Sequence, residues 1–106
     1  MSLIRFIMMA AILSVTTMTA SAADPLKVAF VYSAPIGDGG WNFAHEKARR
    51  EVQAKFGNKI KTMYVEAVAD GADSERVMRD LISQGANVLV GTSFGYMGPM
   101  LNLSRD

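Results

Sequence analysis

The 106-residue sequence contains no cysteine and only one histidine. Without cysteine the chain forms no disulfide and no thiolate metal site, and it lacks the residue to which exported bacterial proteins attach a lipid anchor. The single histidine, His45, follows no metal-binding spacing and stands beside Glu46 on a predicted exposed helix face. Ser93 has no base as a partner. The sequence therefore predicts no metal, no cofactor and no catalytic constellation, so we expect a protein that is not an enzyme.

Neither positive nor negative residues predominate in the sequence. The formal net charge is +1, and Arg5 is the only charged residue among the first 22, so residues 23–106 carry ten basic and ten acidic side chains. Acidic and basic residues alternate within Glu46 to Glu51, as on a solvated helix face. This balance excludes the electrostatic footprint of a nucleic-acid-binding protein.

No apolar run is long enough for a membrane span, which needs roughly 20 residues. The longest run, Leu3 to Val15, is shorter and contains the positive charge of Arg5. Ala20-Ser21-Ala22 follows it as a small-x-small cleavage site. We therefore predict that residues 1–22 are a secretory signal peptide and that residues 23–106 are released into the periplasm. A buried or anchoring N-terminal helix is the alternative.

The remaining sequence alternates between short apolar runs and amphipathic segments. Apolar runs rich in β-branched and aromatic residues predict three strands, at 26–32, 60–65 and 86–91. Helices are predicted at 42–56, at 74–84 and from Met97 towards Asp106.

The capping residues and faces of two of these helices are also predicted. Asn42 is the candidate N-cap of the first helix, and Asp73 or Ser74 that of the second. The first helix has one apolar stripe at four-residue spacing, formed by Ala44, Ala48, Val52 and Phe56.

The order strand-helix-strand-helix-strand with short connections requires parallel strands and right-handed crossovers. The fold class is therefore α/β, a partial doubly wound parallel sheet. With strand order 2-1-3, the loops at 33–42 and 92–96 face one another across the crevice at the switch point, where such sheets bind ligands. Because only three strands and two full helices are present, we expect the chain to be the beginning of a longer protein or a product truncated near Asp106.

The glycine-rich loop does not match either phosphate-binding pattern. In Gly-Asp-Gly-Gly-Trp-Asn, residues 37–42, the position of the third dinucleotide-binding glycine is Asn42, and no Gly-Lys-Ser or Gly-Lys-Thr follows. Glu66 nevertheless ends the second strand where a dinucleotide-binding domain places its ribose-binding acid. A nucleotide-cofactor enzyme thus stays open as an alternative.

The side chains of the two loops suit a neutral, flat ligand with polar edges. Trp41 offers a stacking face, Asp38 accepts hydrogen bonds, and the second loop supplies aromatic rings and a hydroxyl. Each has a purely structural alternative: Trp41 fastens the helix to the sheet, Asp38 closes a turn on its own backbone, and Phe94 belongs to the core. The candidate ligand-binding residues are Asp38, Trp41, Asn42, Ser93, Phe94 and Tyr96.

Four motifs together resemble one known family. They are the strand at 26–32, Gly-Asp-Gly-Gly-Trp-Asn at 37–42, Asp-Leu-Ile-Ser-Gln-Gly at 80–85 and Thr-Ser-Phe-Gly-Tyr-Met at 92–97. This combination closely resembles the basic membrane protein (BMP), or PnrA-like, family of substrate-binding proteins of ABC transporters. The resemblance covers nearly the whole predicted exported part.

The resemblance implies a two-lobed type I periplasmic-binding fold that holds a purine nucleoside or base between its lobes and delivers it to a membrane permease of an ABC importer. It implies that Asp38, Trp41 and Asn42 line the cleft, with Trp41 stacking on the base, and that Phe94 approaches from the third loop. The complete protein would be a monomer, and residues 23–106 would be the first part of its first lobe.

The sequence departs from the family at Gly98-Pro99, where members continue into an acidic or polar helix start, and the second lobe is missing. Because such receptors close around their ligand by hinge motion, we expect one partial lobe to have little affinity by itself. A ligand-sensing regulator on the same fold is a further alternative, although the sequence has no helix-turn-helix.

Overall fold

The computed structural model describes residues 20–106, so nearly all of the predicted signal peptide lies outside the described residues. The described part has three strands and three helices. In chain order they are β1 (Leu26–Val31), α1 (Trp41–Phe56), β2 (Ile60–Val65), α2 (Ala72–Ser83), β3 (Val88–Gly91) and α3 (Met97–Leu103). Single 3-10 turns lie at Ile36–Asp38, Gly57–Lys59 and Phe94–Tyr96.

The strands form one parallel sheet in the order β2-β1-β3, which confirms the predicted α/β class and strand order. In the register, Leu26 lies opposite Ile60, and Val28 lies opposite Val88. The central strand β1 is buried on both faces, as its nearly continuous apolar run predicts. The loops that follow the three strands therefore emerge at the same edge of the sheet.

Alternation along β1 divides the core into two clusters. Ala29 and Val31 face α2 and α3, where Val68, Met78, Leu81 and Tyr96 complete a buried apolar cluster. Val28, Phe30 and Tyr32 face the opposite side, towards α1. Strand β1 thus contributes side chains to the core on both faces of the sheet.

Helix α1 packs on the sheet through a polar face, which corrects the role expected of its apolar stripe. Three residues of that stripe, Ala44, Ala48 and Phe56, are exposed, whereas Asn42 and Glu46 are the buried residues of the helix. The physical reason lies on the sheet, which presents hydroxyl groups to α1. Glu46 accepts a hydrogen bond from the Tyr32 hydroxyl, and α1 also reaches the Thr62 hydroxyl.

Both predicted N-caps are wrong in position. Helix α1 begins at Trp41 after Gly40, so Asn42 lies inside the first turn. Helix α2 begins at Ala72 after Gly71, whose φ of 82° suits glycine, so Asp73 and Ser74 also lie inside their helix. In both cases the helix begins after a glycine that lies two or three residues before the predicted capping residue.

Within residues 20–106, no helix has both the length and the apolar character that a membrane crossing requires.

Candidate functional site

Three loops meet at the carboxyl edge of the sheet. Loop 1 (residues 32–40) follows β1, loop 2 (residues 66–71) follows β2, and loop 3 (residues 92–96) follows β3. In the order β2-β1-β3 the chain direction reverses between β1 and β3, so loops 1 and 3 border the switch point of the sheet. The candidate site is assembled from these loops and the first turn of α1.

Loop 1 is fastened to loop 2 by two hydrogen bonds. The backbone N–H of Ile36 donates to Glu66 Oε2 over 2.7 Å, and the N–H of Val68 donates to the carbonyl oxygen of Tyr32 over 3.0 Å. Glu66, the residue that kept a dinucleotide site open, therefore has one carboxylate oxygen engaged by the backbone of loop 1. That engagement gives Glu66 a structural role within this edge of the sheet.

Loop 2 is in turn fastened to loop 3. Ser93 Oγ donates to Asp70 Oδ1 over 3.1 Å, and the Tyr96 hydroxyl donates to the carbonyl oxygen of Val68 over 2.7 Å. Gly95 lies so close to Asp70 that a Cβ atom there would overlap the carboxylate. These contacts hold loop 3 against loop 2 at the carboxyl edge of the sheet.

Tyr96 is not brought to the candidate site. Its side chain is fully buried in the core beneath loop 3. Burial, with the nearby Asp70 carboxylate as the smaller cause, raises the pKa of Tyr96 to about 12. Tyr96 therefore supports loop 3 from below and presents no ring surface to a ligand in this conformation.

Asp38 caps the first turn of α1. Its Oδ1 accepts from the backbone N–H groups of Gly40 (2.8 Å) and Phe43 (3.0 Å), and its Oδ2 accepts from the backbone N–H of Asn42 (3.2 Å) and from Asn42 Nδ2 (2.9 Å). These bonds, the one from Gly40 first, lower the pKa of the Asp38 carboxyl to about 2. Its negative charge also lies at the positive end of the helix dipole.

Asn42 is held by this cap and buried. Only 4% of the residue is exposed, and its amide nitrogen is committed to Asp38. Its Oδ1 accepts no hydrogen bond from any residue within 20–106. A buried acceptor without a donor costs on the order of 1–3 kcal/mol, so Asn42 Oδ1 is a buried oxygen of the described residues that a further donor would stabilise.

Trp41 spans the opening between α1 and loop 3. Its indole Nε1 donates to the carbonyl oxygen of Thr92 over 2.8 Å, and the residue is nevertheless 63% exposed. Thr92 itself is anchored because its hydroxyl donates to the carbonyl oxygen of Val31 over 3.0 Å. The indole edge is thus fixed while much of the ring surface stays in contact with solvent.

Phe94, the second aromatic candidate, lies at the start of the turn in loop 3 and is 87% exposed. It borders a groove of about 370 Å³ whose lining includes Met97 and Leu101. Both Trp41 and Phe94 are therefore on the surface at this edge, and Phe94 does not belong to the core. The hydroxyl of Ser93, half-buried beside Phe94, is engaged with Asp70.

Two contacts of Trp41 are not predicted from the sequence. His45, assigned there to an exposed face, packs its ring against the indole with the centroids 4.6 Å apart. The four-residue spacing of Trp41 and His45 in one helix is a signal that allows this contact to be found. The carbonyl of Thr92 leaves no such signal, because backbone groups have no identity in the sequence.

The groups at this edge include exposed aromatic rings and hydrogen-bonding carboxylates. Among residues 20–106 there is no group of three His, Asp or Glu side chains that could hold a metal ion. The charged groups of loops 1 and 2 are carboxylates bonded within the loops, and no basic residue occurs in loops 1 to 3.

The chain is similar in sequence to known binding proteins. The sequence pattern of the family described as "ABC transporter substrate-binding protein PnrA-like" matches residues 26–106. A protein of Brucella abortus named as a purine-binding protein is 41% identical over 86 residues, which cover 81% of this chain and 25% of that protein. A protein of Haloferax volcanii named as an ABC transporter glucose-binding protein is 40% identical over 86 residues, covering 81% of this chain and 22% of that protein.

A solved structure shares the fold. The solute-binding protein of an ABC transporter system from Conexibacter woesei superimposes with a TM-score of 0.68 at 24% identity, over 76% of this chain and 26% of that one. The chain thus spans about a quarter of the length of each of these relatives.

Proposed function

The chain belongs to the PnrA-like family of ABC transporter substrate-binding proteins, and from this premise we propose that it forms part of a periplasmic receptor for a purine nucleoside or nucleobase. The receptor passes its ligand to the membrane permease of an importer and performs no chemistry on it. The observation that carries the proposal is the exposed indole of Trp41, held at its N–H edge beside the switch point of the sheet. Residues 1–22 direct export.

A flat, uncharged ligand suits the residues around Trp41. Stacking on an indole requires a planar face, which every purine has. Loops 1 to 3 contain carboxylates but no lysine or arginine, so a phosphate group would meet like charge without a compensating cation. These features favour a nucleoside or nucleobase over a nucleotide.

The roles of the other candidate residues follow from their contacts. Asp38 has hydrogen-bond donors on both carboxylate oxygens, so we assign it to shaping the first turn of α1 and orienting Asn42. Asn42 Oδ1 is the acceptor that we assign to a ligand N–H or O–H group. Phe94 supplies the second aromatic surface, and Ser93 holds loop 3 in place through Asp70.

A hexose is the second candidate ligand, because the Haloferax volcanii relative is named as a glucose-binding protein. An indole face also packs against the C–H groups of a sugar ring. The two ligands differ in their contact with Trp41. A purine stacks on the indole with its whole ring system, whereas a sugar packs against it with C–H groups only.

Calorimetric titration of the complete receptor that contains this chain, with adenosine, inosine, hypoxanthine and glucose, tests the proposal. We expect a purine to bind and glucose to give no heat of binding. Replacing Trp41 with alanine should weaken purine binding by about 10- to 100-fold, the worth of one base–aromatic stack, while Trp41→Phe should retain part of the affinity.

Phe56→Ala is the matched control, because Phe56 is an exposed aromatic residue at the far end of the same helix. It should leave purine affinity unchanged. Binding of glucose but no purine would replace the proposal with a sugar receptor. Purine affinity that is equal in the Trp41→Ala variant would reduce Trp41 to a packing residue, and a tightly bound nicotinamide or flavin would point to the cofactor-enzyme alternative.

A further inference from the structure

We infer that His45 is a positioning residue for Trp41, which fixes the indole so that one of its faces is presented to a ligand; the inference rests on the proposed binding role of Trp41. His45 makes two contacts with this one residue. Its Nδ1 lies 2.7 Å from the backbone carbonyl oxygen of Trp41, and its ring packs on the indole at a 54° tilt with the centroids 4.6 Å apart.

The hydrogen bond fixes the imidazole. A carbonyl oxygen only accepts, so the short contact places a hydrogen on Nδ1 of His45. The side chain is thereby held in one orientation along α1, four residues after the residue that it contacts. In that orientation the imidazole meets the indole with a centroid separation that lies within the range of interacting aromatic pairs.

Trp41 is consequently restrained from three directions. Its N–H edge is bonded to the carbonyl oxygen of Thr92, its ring contacts His45, and its backbone begins the helix turn that Asp38 caps. The residue still has 63% of its surface exposed. A ring that is held but exposed loses little freedom when a ligand stacks on it, and this saves binding free energy that a freely rotating side chain would lose.

Two variants separate the ring contact from the hydrogen bond. His45→Ala removes both, whereas His45→Phe keeps a ring but loses the bond from Nδ1. Lys47→Ala is the control, because Lys47 is an exposed side chain on the same helix two residues later. None of the three substitutions changes Trp41, Asp38 or Thr92.

Fluorescence gives a readout that does not depend on any ligand. Trp41 is the only tryptophan of the 106-residue chain, so acrylamide quenching of this chain reports on the accessibility of this ring alone. We expect His45→Ala to increase the quenching constant, and His45→Phe and Lys47→Ala to leave it near the wild-type value. In the calorimetric titration, His45→Ala should weaken purine binding by about two- to tenfold, the range expected for one aromatic pair, with His45→Phe restoring most of it.

Equal quenching constants in wild type and His45→Ala would overturn the inference, as would purine affinity that is unchanged by His45→Ala. If circular dichroism shows that His45→Ala does not fold, His45→Phe decides: wild-type quenching supports the ring contact, and increased quenching contradicts it. If the complete wild-type receptor binds no purine, the proposed function is refuted, and the quenching result alone then tests the position of Trp41.

Discussion

Asp38 is the residue whose role in the structure differs most from a simple ligand contact. One carboxylate organises Gly40, Asn42 and Phe43, and through them the first turn that carries Trp41. Aspartate commonly closes turns on its own backbone, so the sequence also allows this role for Asp38. The sequence does not distinguish the two roles, because the start of α1 depends on the backbone angles of Gly39 and Gly40.

The depressed pKa of Asp38 predicts a specific pH dependence of stability. The folded pKa of about 2 lies below the ordinary value for aspartate. The stabilisation by the charged cap is therefore complete above about pH 4 and is lost as the pH falls through about 2. Asp38→Asn removes the charge at every pH and serves as the reference.

Urea denaturation of wild type and Asp38→Asn across this range measures the effect. The difference in unfolding free energy between the two proteins should be largest above about pH 4 and should shrink towards zero near about pH 2. Other titrating groups, Glu46 among them, are present in both proteins and cancel in the difference. A difference that stays constant with pH would show that the charge of Asp38 contributes nothing to the cap.

At the scale of the element, helix α1 is the instructive case. Its length and position follow from the sequence, but its buried face does not. Glu46, only 2% exposed, accepts from Arg49 and Arg50 and from the Tyr32 hydroxyl. Hydrophobic periodicity predicts an apolar face inwards, and it fails here because polar groups of the sheet satisfy the polar face of the helix.

The hydrogen bonds of this network shift the pKa values of Glu46 and Tyr32. The bond from Arg49, as the largest cause, lowers the pKa of Glu46 to about 2, whereas burial and the bond to Glu46 raise the pKa of Tyr32. Arg49 also donates to the Thr62 hydroxyl over 2.7 Å and lies over the ring of Tyr64. Glu46 therefore joins loop 1, β2 and α1 in one hydrogen-bonded cluster.

Glu46→Ala should consequently destabilise the fold strongly. The substitution leaves the mostly buried guanidinium of Arg49 without its carboxylate, and breaking such a pair typically costs about 3–5 kcal/mol. Glu51→Ala, an exposed position on the same helix, should change stability by less than about 0.5 kcal/mol. Chemical denaturation monitored by circular dichroism compares the two, and similar losses in both variants would contradict the buried-network account.

At the scale of the whole molecule, the topology was predictable because it depends on coarse features. Three apolar runs, two helical segments and short connections allow few arrangements, and the handedness of parallel crossovers narrows them further. The rule that parallel α/β sheets bind ligands at the carboxyl ends of their strands places the candidate site at this edge. The contacts of Glu66 and Asp70 that join loops 1, 2 and 3, and the contact of Thr92 that joins loop 3 to α1, depend on the final spacing of the strands. They could therefore not be predicted from the sequence.

The central claim is that this member of the PnrA-like family binds a purine nucleoside or base. The most direct measurement is to purify the mature protein from the periplasm of its host, grown with added purines, and to identify the released small molecule by liquid chromatography and mass spectrometry. We expect a purine nucleoside or nucleobase in a near-equimolar amount. A bound hexose, a nicotinamide or flavin cofactor, or a protein that stays empty despite the added purines would contradict it.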